Sequence, residues 1–271
     1  MYDALTDTIA GMTGGCLHMG YCHDERDNSP LNQTTMRLTD LVIEKSQVTE
    51  GHHVLDVGCG TGIPALRLAA TTGARVTGIT VSGHQVKTAQ ANARAAGVGE
   101  RVTFQLADAM ALPFSDASFD AAIAIESLGH MSDRAAALAH IARTLREGGR
   151  LVVADLLLRG PVSEEKKNIL YSVAAIFEGN LQTTVGDYRQ LIEHAGLELE
   201  ELTDIGENVR PVYAATADEI QSNKTMIQYL GGEKTEALAT FFRNMVDFSE
   251  LGYALLVAKR ADQRRVSYGG M

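Results

Sequence analysis

A run of glycines directly after a short apolar segment is the strongest sign of chemistry in the chain. The run reads Val54-Leu-Asp-Val-Gly-Cys-Gly-Thr-Gly62. Its apolar start predicts a buried strand that carries the carboxylate of Asp56 near its end. Gly58, Gly60 and Gly62 have no Cβ, so a ligand can approach the backbone, and the amides of a following helix would face it. The run therefore predicts a small-ligand site at a strand-to-helix turn.

The spacing of the three glycines separates several kinds of nucleotide site. Dinucleotide-binding turns use the pattern G-x-G-x-x-G, and phosphate-binding loops need a Lys followed by Ser or Thr. Here the glycines alternate with single residues, and position 63 is Ile. The spacing disfavours both a nicotinamide dehydrogenase and a P-loop protein.

Strand-like runs alternate with helical runs around this turn. We predict strands over residues 54–57, 75–79, 102–106, 119–125, 150–158, 197–202 and 253–259. One intervening helix is predicted to be capped by Ser82, another to be capped by Ser132 and closed by Gly148-Gly149, and a third to start at Asp187. The alternation predicts an α/β, Rossmann-like fold with a seven-stranded, mostly parallel sheet.

The remaining segments are helical and do not fit the rhythm of the sheet, so we expect them to form a lid above the carboxyl ends of the strands. The predicted organisation is an N-terminal helical lid segment (1–35), a ligand-binding core (36–160), lid helices (161–186), a core helix and strand (187–210), further lid helices (211–249), a final core strand (250–260) and a flexible tail (261–271).

Composition limits the partners that the chain can bind. The 271 residues are 45% hydrophobic and carry 34 acidic against 24 basic side chains, a net charge of −10. This balance argues against binding to nucleic acid, which needs clustered Lys and Arg. No signal peptide or membrane-spanning run is visible, and three cysteines give no disulfide framework. We expect a cytoplasmic protein with a small-molecule substrate, no membrane partner, no metal site and a possible homo-oligomeric state.

The glycine run and three later motifs together resemble the class I S-adenosylmethionine-dependent methyltransferases. The run matches that family's D-x-G-x-G-x-G motif. The later motifs are Leu106-Ala-Asp-Ala109, Leu112-Pro-Phe114 with Ser118-Phe-Asp120, and Leu145-Arg-Glu-Gly-Gly149. The resemblance implies S-adenosyl-L-methionine as cofactor. The residues it implies for cofactor binding are Gln33, Asp56, Gly58, Cys59, Gly60, Gly62, Thr80, Gln85, Asp108, Ala109 and Glu126.

Within this set, Asp108 is expected to accept a hydrogen bond from the adenine amine. Thr80 stands where the family usually has an acidic residue for the ribose hydroxyls. A hydroxyl can still bond a diol, but without the assistance of charge. Gln85 either helps Thr80 or forms a capping box with Ser82, since the spacing fits both.

A narrower resemblance extends over nearly the whole chain and is looser after residue 160. It rests on Leu17-His-Met-Gly-Tyr21, Thr35-x-Arg-Leu-Thr-Asp40, Glu126-Ser-Leu-Gly-His-Met-Ser-Asp133 and Ala154-Asp155. These segments are similar to natural-product methyltransferases of the rebeccamycin sugar O-methyltransferase type and to the spinosyn-pathway cyclase. The resemblance implies that Tyr21 folds over the sulfonium, that Gln33 or Thr35 holds the methionyl part, and that His130 and Asp155 face the acceptor.

The predicted function is methyl transfer to O, N or C of a small molecule in secondary metabolism, by in-line displacement under the lid. His130 is the expected base and Asp155 its partner. One departure favours an alternative, because Gly129 stands where the sugar enzymes have the first of two adjacent histidines. That alternative is a cyclase that binds the cofactor only structurally. A cofactor-binding partner subunit is a third hypothesis. His18 and His23 are predicted to be surface or lid groups.

Overall fold

Seven strands form one mixed sheet, as the alternation of strands and helices predicts. The computed structural model describes residues 2–164, 166, 167, 170 and 183–261. The strands are β1 (His53–Val57), β2 (Arg75–Thr80), β3 (Val102–Leu106), β4 (Phe119–Ile125), β5 (Leu145–Leu158), β6 (Leu197–Asp204) and β7 (Leu251–Arg260). Their order across the sheet is β3-β2-β1-β4-β5-β7-β6.

Strands β1 to β5 run parallel, and β7 is antiparallel to both of its neighbours, β5 and β6. The apolar residues of β1 are buried, as expected for a strand that is covered on both faces. Strand order reverses direction at β1, with β2 on one side and β4 on the other. Open α/β sheets bind ligands at such a switch point, outside the carboxyl ends of the strands.

Helices cover both faces of the sheet. They are α1 (Tyr2–Met12), α2 (Leu31–Ser46), α3 (Ile63–Thr72), α4 (Gly83–Ala95), α5 (Arg134–Thr144), α6 (Val185–His194), α7 (Gly206–Ser222), α8 (Lys224–Leu230) and α9 (Gly232–Val246). Apolar residues of α2, α3 and α4 join those of α7 and α9 in one core layer, and α5 and α6 pack in the other. None of the described helices is long and apolar enough to cross a membrane.

Two helix starts differ from their predicted positions. Asp133, and not Ser132, caps α5, because its carboxylate accepts the N–H of Ala136 at 2.9 Å. Helix α6 starts at Val185, and not at Asp187. Thr184 caps it and forms a reciprocal capping box with Asp187, which occupies the third helical position. The prediction that Ser82 caps α4 is confirmed, since its hydroxyl accepts the N–H of Gln85 at 3.1 Å.

Other boundaries also moved. Helix α5 ends at Thr144 and not at Gly148-Gly149, because Leu145 already pairs with Phe119 in the sheet. Helix α2 crosses the predicted boundary between lid and core at residue 35. Helix α7 starts at Gly206, five residues before the predicted start of the second lid segment at residue 211. Most of the predicted lid segment 161–186, and the predicted tail after residue 261, lie outside the described residues.

Candidate active site

A cleft of about 510 Å³ opens at the carboxyl ends of β1 to β4, and we call it the strand-end cleft. It lies where the glycine run predicts a ligand site. Ten of the predicted site residues line it: Asp56, Gly58, Cys59, Gly60, Thr80, Gln85, Asp108, Ala109, Glu126 and His130. The structure therefore brings together residues from the ends of four strands. The first and last of them, Asp56 and His130, are 74 positions apart in the sequence.

Asp56 is the buried acid of the strand-end cleft. Its Oδ2 atom has no hydrogen-bond partner among the described residues, and burial raises the pKa of its carboxyl to about 7. The hydroxyl of Ser127, also lining the cleft, is unpartnered too. A buried carboxylate without a partner is costly, so the arrangement fits a ligand that carries a positive charge or hydrogen-bond donors.

The glycines of the run have different roles. Gly60 has φ +52°, and a Cβ there would lie 2.9 Å from Leu17 Cδ1, on the wall of the cleft. Gly62 does not line the cleft, and its role in cofactor binding stays a prediction. It has φ +85°, and a Cβ would lie 2.5 Å from Phe104 Cζ. Gly62 thus allows α3 to start against the sheet.

Thr80 and Gln85 lie at the cleft and bond each other. The Thr80 hydroxyl donates to Gln85 Oε1 at 2.7 Å and accepts the N–H of Ser82 at 3.2 Å. Gln85 Nε2 in turn donates to Thr6 on α1 at 3.5 Å. The capping box is therefore only half formed, and the side chain of Gln85 links the cleft to the N-terminal helix.

The outer rim of the cleft combines an acid with an exposed apolar residue. Asp108 is exposed, and its Oδ1 accepts the N–H of Met110 at 2.8 Å. Val81, directly after β2, lines the cleft although 74% of it is exposed. Sequence reasoning missed Val81, because a single apolar residue after a strand carries no periodic signal. Together these residues form an edge that suits a flat ring bearing an amine.

A second cavity adjoins the cleft on the side of the helices, and we call it the helical chamber. Its walls come from α1, α7, α8 and α9. The main apolar residues are Ile9, Met12, Val212, Ile220, Met226, Leu238, Phe241, Phe242 and Met245. No Lys or Arg lines the chamber among the described residues.

Four residues line both cavities and form what we call the junction: Leu17, His18, Glu126 and His130. Glu126 follows β4 with φ +48°, unusual for a residue other than glycine. Its Oε1 accepts the N–H of Met19 and the hydroxyl of Tyr253, both at 2.7 Å. Burial raises the pKa of its carboxyl to about 7. The junction is where a ligand in the cleft would meet one in the chamber.

Asp155 lies at one end of the chamber and holds the turn that carries His130. Its Oδ2 accepts the N–H of Gly129 at 3.1 Å, and its Oδ1 accepts that of Leu156 at 2.9 Å. Burial raises the pKa of this carboxyl. Both oxygens are thus engaged by backbone donors, and Asp155 is placed to position His130, which is itself exposed.

His18 is buried at the junction, so the surface alternative of its prediction is wrong, while its place in the N-terminal segment agrees with the lid alternative. Its Nδ1 donates to Met19 O at 2.7 Å, and its Nε2 accepts from the Thr39 hydroxyl at 3.1 Å. Burial lowers the pKa of the imidazole to about 4, so the ring is neutral near pH 7. With both nitrogens bonded, His18 has no free nitrogen for proton transfer.

Three further residues implied by the resemblance come from the N-terminal part of the chain, and their roles stay predictions. Gln33 is exposed on α2 and lines neither cavity. Tyr21 also lines neither, and its backbone N–H donates to Thr34 O at 2.8 Å. Thr35 does line the chamber, but its hydroxyl bonds the carbonyls of Thr13 and Leu31, both at 2.9 Å.

Among the described residues, no three His, Cys, Asp or Glu side chains are grouped as metal ligands.

Comparison with known proteins gives a consistent picture. The family described as "Methyltransferase domain" matches residues 55–153. The chain is 41% identical to O-methyltransferase cnsE of Penicillium expansum, over 96% of this chain and 91% of that protein. It is 36% identical to 27-O-demethylrifamycin SV methyltransferase of Amycolatopsis mediterranei, over 96% of each chain.

Among solved structures, the crystal structure of the 4+2 cyclase SpnF matches with a TM-score of 0.83 and 34% identity, covering 96% of this chain and 94% of that one. The predicted fold, with its seven-stranded, mostly parallel sheet, is confirmed. The identity to two methyltransferases over nearly their whole lengths, the match of the domain family and the cleft at the switch point of the sheet all agree. The chain belongs to the class I S-adenosylmethionine-dependent methyltransferases that act on small molecules.

Proposed function

We propose that this methyltransferase binds S-adenosylmethionine in the strand-end cleft and methylates a hydroxyl of a neutral, mostly apolar molecule held in the helical chamber. The observation that carries the proposal is the adjacency of the two cavities. In the part of the chain that the structure describes, the first has a buried carboxyl with one unpartnered oxygen, and the second has mostly apolar walls without Lys or Arg. Two relatives, an O-methyltransferase and a 27-O-demethylrifamycin SV methyltransferase, support oxygen as the methylated atom.

The residues of the strand-end cleft fit the parts of the cofactor. Asp56 would attract the methionyl ammonium, because an opposite charge relieves the burial of its carboxylate. Gly58 and Gly60 would let the methionyl part approach the backbone. Asp108 would accept from the adenine amine through Oδ2, since Oδ1 is already bonded to Met110 N–H. Val81 would pack against the adenine ring.

The helical chamber selects the acceptor by charge as well as by shape. An anionic acceptor would lose its hydration without gaining a cationic partner, and buried unpaired charges are strongly unfavourable. An apolar acceptor loses nothing comparable and gains contact with Phe241 and Phe242. The acidic end of the chamber, at Glu126 and Asp155, receives the polar group that is to be methylated.

When bound, S-adenosylmethionine supplies an activated methyl group on its sulfonium. The protein must align the acceptor and exclude water, for which the chamber walls of α1, α7, α8 and α9 serve. A hydroxyl must also lose its proton, and the junction offers His130 and Glu126 for that purpose. Asp155 contributes by fixing the turn at Gly129.

The experiment measures S-adenosylhomocysteine release and product mass with a matched pair of acceptors, 1-naphthol and 4-hydroxynaphthalene-1-sulfonate. Both carry the same hydroxyl, and only the second is an anion. We expect methylation of 1-naphthol and a much lower kcat/KM for the sulfonate. Equal turnover of the two, or a preference for the sulfonate, would contradict the proposed acceptor class. A preference for 1-naphthylamine over 1-naphthol would contradict oxygen as the methylated atom.

A cyclase is the second candidate, favoured by the likeness to the 4+2 cyclase SpnF and by Gly129. In that case the chamber would hold a polyene and the cofactor would remain intact. The same assay separates the two functions, because a cyclase converts its substrate without releasing S-adenosylhomocysteine.

A further inference from the structure

We propose that Glu126 is the base that takes the acceptor's proton and that Tyr213 donates a hydrogen bond to the acceptor's oxygen. This inference rests on the proposed function and deepens it. It reassigns Glu126, which the sequence resemblance placed among the cofactor-binding residues, and it gives Tyr213 a role that sequence reasoning missed. Two groups that line the helical chamber, the carboxyl of Glu126 and the phenol of Tyr213, carry it.

The carboxyl of Glu126 is held by one oxygen and free at the other. Oε1 receives two donors, Met19 N–H and Tyr253 Oη–H, which arrive from the N-terminal segment and from β7. No described residue bonds Oε2. Because the residue lines both cavities, that free oxygen belongs to the place where acceptor and cofactor meet. A base needs this combination of a fixed carboxyl and an open oxygen within reach of the reacting proton.

Tyr213 supplies the complementary donor. Its side chain comes from α7, lines the chamber and is only 3% exposed, yet its hydroxyl has no hydrogen-bond partner among the described residues. A hydroxyl on a cavity wall that no described residue bonds can bond a ligand there. Burial and the nearby charge of Glu126 both raise the pKa of the phenol, which therefore stays protonated and can donate to the acceptor oxygen both before and after that oxygen loses its proton.

Two of the neighbouring groups cannot take this role. His18 has both nitrogens bonded, and Asp155 has both oxygens engaged by backbone N–H groups. His130 also lines the junction but is exposed. The titratable groups that surround Glu126 are His18, His130, Asp155, Tyr213 and Tyr253.

The proposed step is balanced as follows. The acceptor hydroxyl gives its proton to Oε2 of Glu126 while its oxygen forms a bond to the methyl carbon. The bond between that carbon and sulfur breaks, and its electron pair stays on sulfur, giving neutral S-adenosylhomocysteine. Glu126 afterwards loses the proton to solvent when the chamber opens. Only the ionised carboxylate can act, so the rate with 1-naphthol should rise with pH through about 7, the pKa to which burial raises this carboxyl.

The test compares Glu126→Gln, Tyr213→Phe and His130→Gln with the wild-type enzyme, with S-adenosylmethionine and 1-naphthol as substrates. Glu126→Gln keeps an oxygen for Met19 N–H and Tyr253, and Tyr213→Phe removes no internal hydrogen bond, so both should fold. We expect Glu126→Gln to lower kcat by about 100-fold or more and to abolish the rise near pH 7. Tyr213→Phe should weaken 1-naphthol binding about tenfold in calorimetry with S-adenosylhomocysteine present. Tyr229→Phe and Glu219→Gln, exposed on α8 and α7, are the matched controls.

Three results would overturn the inference. The first is an unchanged pH profile in Glu126→Gln together with loss of the rise in His130→Gln, which would make His130 the base and leave the proposed function intact. The second is a loss of cofactor affinity in Glu126→Gln as large as its loss of kcat, which would return Glu126 to cofactor binding. The third is the absence of S-adenosylhomocysteine release from 1-naphthol by the wild-type enzyme, which would refute the proposed function and this inference with it.

Discussion

The strand-end cleft and the helical chamber lie side by side and are built in opposite ways. The cleft takes its central residues from one short segment, 56–61, and adds the ends of the neighbouring strands. The chamber draws its walls from Thr6 on α1 to Met245 on α9, which are nearly the whole chain apart. A cofactor site that many enzymes share can therefore be encoded locally, while the acceptor site depends on how distant helices meet.

The two cavities also differ in what they leave unsatisfied. In the cleft, Oδ2 of Asp56 and the hydroxyl of Ser127 lack partners among the described residues. In the chamber most of the lining is apolar. The cleft is thus arranged for a charged ligand of fixed shape, and the chamber for a ligand recognised mainly by volume and by one hydroxyl. Substitutions in the two regions should therefore change different measured quantities.

The largest effect is expected from Asp56→Asn in the cleft. Affinity for S-adenosylmethionine, measured by calorimetry, should fall on the order of 100-fold because the ammonium loses its charged partner. Stability should change in the opposite direction. The folded-state pKa of about 7 lies above the ordinary value of about 3.9 for Asp, so the wild type loses stability as pH rises through this window.

The variant buries no charge, and without ligand it should be about 2 to 4 kcal/mol more stable than the wild type at pH 8 and no more stable at pH 4. Asp40→Asn, at an exposed ion pair with Arg67, is the control. Equal cofactor affinity of Asp56→Asn and the wild type would remove Asp56 from the site.

The next effect separates packing from binding within the glycine run. Gly62→Ala should lower the free energy of unfolding by about 2 to 3 kcal/mol, because the new methyl group meets Phe104 and the backbone remains at φ +85°. Gly97→Ala is the matched control, with φ +68° and open space around the new Cβ, and should cost about 1 kcal/mol. Denaturant titration measures both values. Similar losses of unfolding free energy in the two variants would show that the Phe104 ring moves aside for the new methyl group and that Gly62 is not required for packing.

A smaller effect should be confined to the helical chamber. Phe242→Leu shortens one wall, so KM for 1-naphthol should rise about fivefold, or about 1 kcal/mol, through lost contact. Affinity for S-adenosylmethionine should stay unchanged, because Phe242 does not line the cleft. The control is Ile227→Val on α8. Ile227 is 38% exposed and does not line the chamber. A matching loss of cofactor affinity would mean that the two regions are not separable.

The smallest effect concerns a contact between the two regions. His84 on α4, beside the cleft, bonds Asp7 on α1, a chamber helix, at 3.0 Å. Both side chains are exposed, so His84→Ala should change cofactor affinity less than about twofold in calorimetry. Gln85→Ala, which removes the buried link between Thr80 and Thr6, should have the larger effect of the two. The reverse order would show that the surface pair, and not the buried link, holds α1 over the cleft.

The sequence predicts the sheet and the cleft because both rest on local patterns. All seven strands lie where apolar runs and turns predict them, and the alternating glycines identify the ligand site. Tyr213 and Tyr253 escaped prediction because an aromatic residue in a helix or strand looks like any core residue until its hydroxyl is located. The burial of His18 was not predicted, because nothing in the neighbouring sequence shows that the N-terminal segment packs against both cavities. The positions of Tyr21 and Gln33 outside both cavities could not be predicted for the same reason, since they depend on how the N-terminal segment packs against the rest of the chain.

The position of strand β7 determines when the sheet can be completed during synthesis. It is the last strand along the chain, yet it inserts between β5 and β6, and its Tyr253 holds the carboxyl of Glu126. During synthesis, β5 must wait with an unpaired edge until more than 90 further residues, those between Leu158 and Leu251, have been made. An open apolar edge of this kind is prone to pair with other chains. The acidic end of the helical chamber is therefore completed only when the sheet closes, so a growing chain that still lacks β7 has the cofactor turn but no finished acceptor site.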